Sequence, residues 1–192
     1  MDFTEKTLNS QTVYDGKIIK VLKDDVEISD GTKAFREVVK HSGGVVVLAI
    51  KTQSPSSALQ APFPTIGEKD RSVLFVKQFR YPMKEVLLEL PAGKLEYSED
   101  PFKAAQRELE EETGYCADNW TDLGFVYTSP GYSDEKLYLY KAENLHFTQC
   151  HPDEGEILEP IEIKIDDAID MINKGEINDA KTLCAFFRSK FI

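Results

Sequence analysis

The sequence is short of the features that would send it out of the cell or into a membrane. Only Cys116, Cys150 and Cys184 are cysteines. Their number is odd, their spacing is wide and no Cys-x-x-Cys pair occurs. That excludes a disulfide scaffold or a cysteine zinc site and fits a reducing compartment. No apolar run approaches the ~20 residues of a membrane-spanning helix. The opening, Met1 to Ser10, is polar and has no apolar secretion core. A cytoplasmic protein without membrane contact is expected. Positive charge is scarce as well. Lys and Arg number 23 against 34 Asp and Glu, for a formal net charge of -11. Such a surface is unsuited to nucleic acid or acidic lipid. A small polyanion is not excluded, because a divalent metal can reverse the sign locally.

What is present is a globular balance: 41% hydrophobic and 30% charged residues over 192 positions, enough to bury a core without cross-links. Thr12 to His41 reads as extended chain with a hairpin turn at Asp30-Gly31. This hairpin buries little alone and needs a neighbour, such as a second subunit. Gly43-Gly44 then breaks the chain before Val45 to Ile50, an unbroken apolar run suited to a buried strand. The division expected is residues 1–42 as an N-terminal hairpin region and 43–192 as the main domain. Thr52 to Arg71, with Pro55, Pro62 and Pro64, reads as a long surface loop, either a tolerated insertion or a lid. Further strands are expected at Ser72–Phe79, Glu85–Leu90, Leu123–Thr128, Lys136–Ala142 and Ile157–Ile165. Helices are expected at Pro101–Thr113, Asp166–Asn173 and Asn178–Phe191. The fold class is α/β in the broad sense, a mixed α+β sandwich and not a doubly wound parallel sheet.

The informative stretch runs from Gly93 to Tyr115. Asp100 is a good N-cap, Pro101 suits the first turn and Gly114 suits the stop. At 3.6 residues per turn, Glu108, Glu111 and Glu112 share an arc of roughly 100°, while Glu110 points away. Phe102, Ala105 and Leu109 form the adjoining apolar stripe. Three carboxylates this close repel, and the helix C-terminus adds negative potential. Arg107 can pair with Glu111 but leaves two carboxylates over. A hard divalent cation such as Mg2+ compensates fully, since it binds a few carboxylates together with substrate phosphates. The alternative is a solvated acidic face.

Gly93, Glu99, Arg107, Glu108, Leu109, Glu111, Glu112 and Gly114 stand in the register G-x5-E-x7-R-E-U-x-E-E-x-G-U, where U is bulky and aliphatic. The sequence thereby resembles the Nudix hydrolases, with Tyr115 departing at the last position. Average composition puts a chance match on the order of 10^-7 for a chain this long, which weighs against a generic acidic helix. The resemblance implies a mixed sheet sandwiched between helices and hydrolysis of a nucleoside diphosphate linked to another group. It implies Mg2+, with Mn2+ as the alternative, on Glu108, Glu111 and Glu112, and the Ala92 carbonyl as a further ligand. Arg107 and Glu99 would hold the glutamates in place.

Phe79-Arg80, Glu89-Leu90-Pro91-Ala92-Gly93, Ser129-Pro130-Gly131 and Asn178-Asp179-Ala180-Lys181-Thr182 are similar to the ADP-ribose pyrophosphatase branch of that family, whose marker proline falls at Pro130. This implies ADP-ribose as substrate and a homodimer that exchanges the N-terminal hairpin, with Arg36 and Arg80 contacting substrate. Another nucleoside diphosphate sugar, or a non-catalytic ADP-ribose sensor, are the alternatives. A general base must reach the attacking water. Carboxylates are available at Glu135 and in the acidic loop Pro152 to Glu156. Relatives use a loop at the second place. Glu154 is the favoured base, with Glu156 beside the metal and Glu135 toward the terminal ribose; a one-residue slip would exchange Glu154 and Glu156. His41, His146 and His151 lack metal spacing and read as surface residues, and Trp120 reads as packing.

Overall fold

The computed structural model describes residues 2–52, 71–149 and 157–192, so most of the predicted Thr52–Arg71 loop, and the loop holding Glu154 and Glu156, lie outside the described residues. The chain forms two compact units, Met1–Gly43 with Tyr127–Leu137, and Gly44–Val126 with Tyr138–Ile192.

The first unit is built on a three-stranded antiparallel sheet, β1 (Lys6–Asp15), β2 (Lys20–Glu27) and β3 (Lys33–Lys40), in that order. The expected hairpin is β2–β3. Its turn holds Gly31 at φ 84, a left-handed conformation that glycine adopts without strain, and Gly31 N–H donates to Ile28 O at 2.9 Å. β1 adds a third strand that begins ahead of the predicted segment. Every residue of β1 is exposed. It is held by ladder hydrogen bonds rather than burial, so no alternation of apolar residues marks its start. The Ser129–Asp134 turn joins this unit through β3: Val39 N–H donates to Tyr132 O at 2.7 Å and Asp134 N–H to Val39 O at 3.1 Å.

The second unit carries a seven-stranded sheet with the path β10-β5-β4-β9-β8. Its strands are β4 (Gly44–Thr52), β5 (Arg71–Arg80), β6 (Glu85–Glu89), β7 (Ala92–Lys94), β8 (Tyr115–Tyr127), β9 (Lys136–Phe147) and β10 (Leu158–Lys164). β6 pairs with β5 and β7 with β4. The helices among the described residues are α1 (Pro101–Thr113), α2 (Ile165–Lys174) and α3 (Ala180–Arg188).

β4 is buried from Gly44 to Ile50 because both of its faces are covered. Alternate side chains point to opposite faces. Val45, Val47 and Ala49 pack with Ala104, Ala105 and Leu109 of α1, joined by Leu74 of β5. The next residue of β5, Phe75, stacks instead on Phe186 of α3, with ring centroids 6.1 Å apart. Helices therefore lie on both faces, which is the expected sandwich. α1 begins and ends where its caps predict. The Asp100 carboxylate accepts from the Phe102 and Lys103 N–H groups at 3.1 Å, and Gly114 closes the helix at φ 74. Trp120 is a packing residue, edge-on to Phe102 at 5.4 Å.

Candidate active site

α1 and the β7 loop place the acidic residues together. Glu112 is only 4% exposed, and its carboxylate accepts the Ala92 N–H at 2.9 Å. Glu108 lies directly against Gly93: a Cβ added there would overlap its carboxylate. Glycine at 93 is thus a space requirement for the Glu108 carboxylate.

Arg107 organises the rest. Its Nη1 reaches Glu108 at 2.8 Å and Glu111 at 2.7 Å, and its Nε and Nη2 donate to the two oxygens of Glu99 at 3.0 and 3.1 Å. Glu99 also accepts the Glu96 N–H at 2.9 Å, which pins the loop that enters the helix. These hydrogen bonds from Arg107 hold the Glu99 carboxyl below the usual range, and the surrounding carboxylates push the guanidinium up. One arginine thus faces Glu99, Glu108 and Glu111, with Glu112 on the same arc of the helix. Glu110 points away and accepts from the Thr148 hydroxyl at 3.0 Å.

Among the described residues no three His, Cys, Asp or Glu side chains are already gathered into a metal cluster. In this conformation the guanidinium is the point of convergence. The donor set nonetheless suits a hard divalent cation. It consists of carboxylate oxygens, the hard ligands such an ion takes, with Glu108 seated where the backbone carries no Cβ.

Arg80, at the end of β5, is in the same unit. Its Nε and Nη2 grip Glu89 at 2.8 and 2.7 Å. Burial pushes the Glu89 carboxyl up, but Arg80 and Lys181 outweigh it and hold it below the usual range. In the sequence Glu89 stands out only as part of a motif, with no role of its own. Its signal is a single carboxylate at the end of the apolar run Val86-Leu87-Leu88.

Arg36, Pro130 and Glu135 belong to the first unit. Arg36 is exposed and donates to Phe35 O at 2.8 Å, and it pairs with Glu5. Pro130 is exposed in its turn. Glu135 accepts from the Thr128 hydroxyl at 2.6 Å and lies 3.4 Å from His41 Nδ1. His41 departs from its expected surface position: it is half-buried, and Nδ1 accepts the Gly43 N–H at 3.0 Å. Among the described residues no helix is long and apolar enough to cross a membrane.

Comparison with known proteins adds to this geometry. The NUDIX domain model matches residues 61–186, and the model for the nucleoside diphosphate sugar hydrolase N-terminal domain matches residues 5–39. An ADP-ribose pyrophosphatase of Bacillus subtilis (strain 168) is 38% identical over 183 residues, 94% of this chain and 90% of its own. A methanol dehydrogenase activator of Bacillus methanolicus is 37% identical over 95% of this chain and 91% of its own. A GDP-mannose pyrophosphatase of Yersinia pestis (strain Pestoides F) is 30% identical over 83% of this chain and 77% of its own. The crystal structure of an ADP compounds hydrolase superposes with a TM-score of 0.78, covering 99% of this chain and 95% of that one. At 20% identity that likeness is one of fold.

Proposed function

The chain belongs to the Nudix family, and from that premise we propose that it hydrolyses ADP-ribose to AMP and ribose 5-phosphate with Mg2+ as its metal. The observation that carries this is the seat of Glu108 on Gly93 beside Arg107, with Glu112 on the Ala92 N–H. The substrate is taken from the Bacillus subtilis relative, which matches nearly the full length of both chains.

Glu108, Glu111 and Glu112, with the Ala92 carbonyl and Glu156, would hold the metal. When bound, it draws in phosphate oxygens, offsets their charge and makes water more acidic. Arg107 and Glu99 keep the carboxylates from scattering. Glu154 takes the proton as water attacks one phosphorus, and the bridging P–O bond breaks to release AMP. Arg80 meets phosphate with the guanidinium edge that Glu89 does not take. Arg36, Pro130 and Glu135 orient the rest of the substrate, with Glu135 toward the terminal ribose. Residues 1–42 serve as the arm of a homodimer and 43–192 as the catalytic domain, working in the cytoplasm. The fully exposed β1, with apolar Leu8, Val13 and Tyr14, supports the dimer.

The test is purified protein with Mg2+ and a panel of ADP-ribose, GDP-mannose, UDP-glucose and diadenosine compounds, followed by product analysis and light scattering. AMP from ADP-ribose as the preferred reaction is expected, from a dimer. Faster turnover of GDP-mannose would reassign the substrate. Binding without AMP would make the protein a sensor.

A further inference from the structure

A second knot of charge in the same unit involves residues to which no role has been given above. Glu89, 2% exposed, is held by both Arg80 and the Lys181 ammonium. Lys181 is itself 14% exposed and pairs with Asp179 at 3.0 Å. Asp179 caps α3: its carboxylate accepts the Thr182 N–H at 3.1 Å and the Thr182 hydroxyl at 2.7 Å. The same hydroxyl accepts the Leu90 N–H at 3.0 Å. Two residues further on, Ala92 N–H meets Glu112. The first turn of α3 is thereby tied at two points to the strand end that enters the carboxylate site.

The geometry separates a fixed end from an open one. Glu89 takes the Nε and Nη2 edge of the Arg80 fork, which sets the plane of the guanidinium. The Arg80 side chain is nevertheless 35% exposed while its carboxylate is buried. Lys181 shares the Glu89 oxygen that Arg80 Nη2 contacts. Glu89 is therefore not left to Arg80 alone, and the guanidinium keeps more of its pull on an incoming anion. A buried carboxylate clamped by two cations restricts its own rotamers and those of the arginine it holds.

We propose that Lys181 is a positioning residue: by fixing Glu89 against α3 it aims the Arg80 fork at the diphosphate of the substrate. This rests on the reading of Arg80 as a phosphate contact. The test uses the full chain and four variants, Lys181→Met, Lys181→Arg, Arg80→Ala and the double Arg80→Ala/Lys181→Met. Steady-state kinetics with ADP-ribose and Mg2+ are measured beside calorimetric binding of ADP-ribose and inorganic pyrophosphate in EDTA.

Lys181→Met is expected to raise KM and weaken metal-free binding about tenfold, because a misaimed group costs that much or more, while kcat stays within about threefold. Lys181→Arg restores most of the loss. In the Arg80→Ala background Lys181→Met adds nothing further. An unchanged KM and affinity in Lys181→Met, or an undiminished penalty in the double variant, overturns the proposal. Should Lys181→Met fail to fold, Asp179→Asn keeps an N-cap and removes the restraint on Lys181. It must then raise KM and weaken metal-free binding, and wild-type values in it overturn the proposal. A wild type that releases no AMP refutes the hydrolytic reading alone, and metal-free binding still judges Lys181. A wild type that binds neither ADP-ribose nor pyrophosphate overturns the proposal too.

Discussion

Two arginines in one unit hold carboxylates in opposite ways. Arg107 reaches Glu99, Glu108 and Glu111, so one positive charge meets three negative, with Glu112 a fourth on the same helix. Around Arg80 two cations meet two carboxylates, Arg80 and Lys181 with Glu89 and Asp179, and Arg80 is drawn to Glu112 as well. Both clusters are partly buried, where unmatched charge is expensive. In the Arg107 cluster a single arginine is shared among three carboxylates, an arrangement that suits the divalent cation proposed above. The glycine at 93 leaves the room that the Glu108 carboxylate occupies beside Arg107.

The largest expected effect breaks the Arg107 cluster. In Glu112→Gln the amide keeps the size and can still accept the Ala92 N–H, so the fold is retained. The lost charge should lower kcat/KM on the order of 10^3-fold, as removal of a group that stabilises transition-state charge does. Activity within a few-fold of wild type would mean that the α1 carboxylates are not the metal site. Gly93→Ala is the next step down. Its methyl group displaces the end of a flexible side chain, so the melting temperature should move little. Displacement of Glu108 should still cost about 10- to 100-fold in metal affinity, the usual range for a misheld ligand. A large loss of stability with normal metal affinity would reverse the assignment of Gly93 to function.

Metal alone sharpens the same contrast. A ligand that binds only the folded state stabilises by about 2.7 kcal/mol at a hundred times its Kd. For a chain of this size that corresponds to roughly 5–10 °C. Saturating Mg2+ should raise the melting temperature of wild type and Lys181→Met alike and that of Glu112→Gln much less. Equal shifts in all three would place the ion elsewhere.

What could be read before folding follows the range of each interaction. The caps of α1 and the arc of Glu108, Glu111 and Glu112 are set by residues within a few positions of each other, so spacing suffices to find them. The apolar runs of β4 and β5 are legible because both faces are buried. β1 is hidden because nothing in it is buried, and β8 extends back to Tyr115 through Asp118, Asn119 and Asp122, which read as breaks in a strand. Lys181 and Glu89 are 92 positions apart, and their pairing exists only once α3 has docked beside β6. Arg80 could be singled out by its motif, but its grip on Glu89 could not.

The smallest effect is expected at a third ion pair, which lies on the sheet and has no assigned part in the reaction. Lys51 of β4 donates to Glu162 of β10 at 2.7 Å, and the Ser72 hydroxyl donates to the other oxygen at 2.6 Å. Burial pushes the Glu162 carboxyl up, but Lys51 and Ser72 outweigh it and hold it below the ordinary glutamate value of 4.5. A carboxyl lowered in the folded state stabilises above its unfolded pKa, and that contribution fades as pH falls through the folded value. Both side chains are 33% exposed, so solvent screens the pair. Glu162→Gln should cost at most about 1 kcal/mol at pH 7. The difference from wild type should shrink steadily as the pH drops below 4.5, with kcat and KM untouched throughout. Denaturant unfolding across that range measures it. A gap that persists at the acid end would trace the loss to packing rather than charge, and a change in KM would draw this pair into the site.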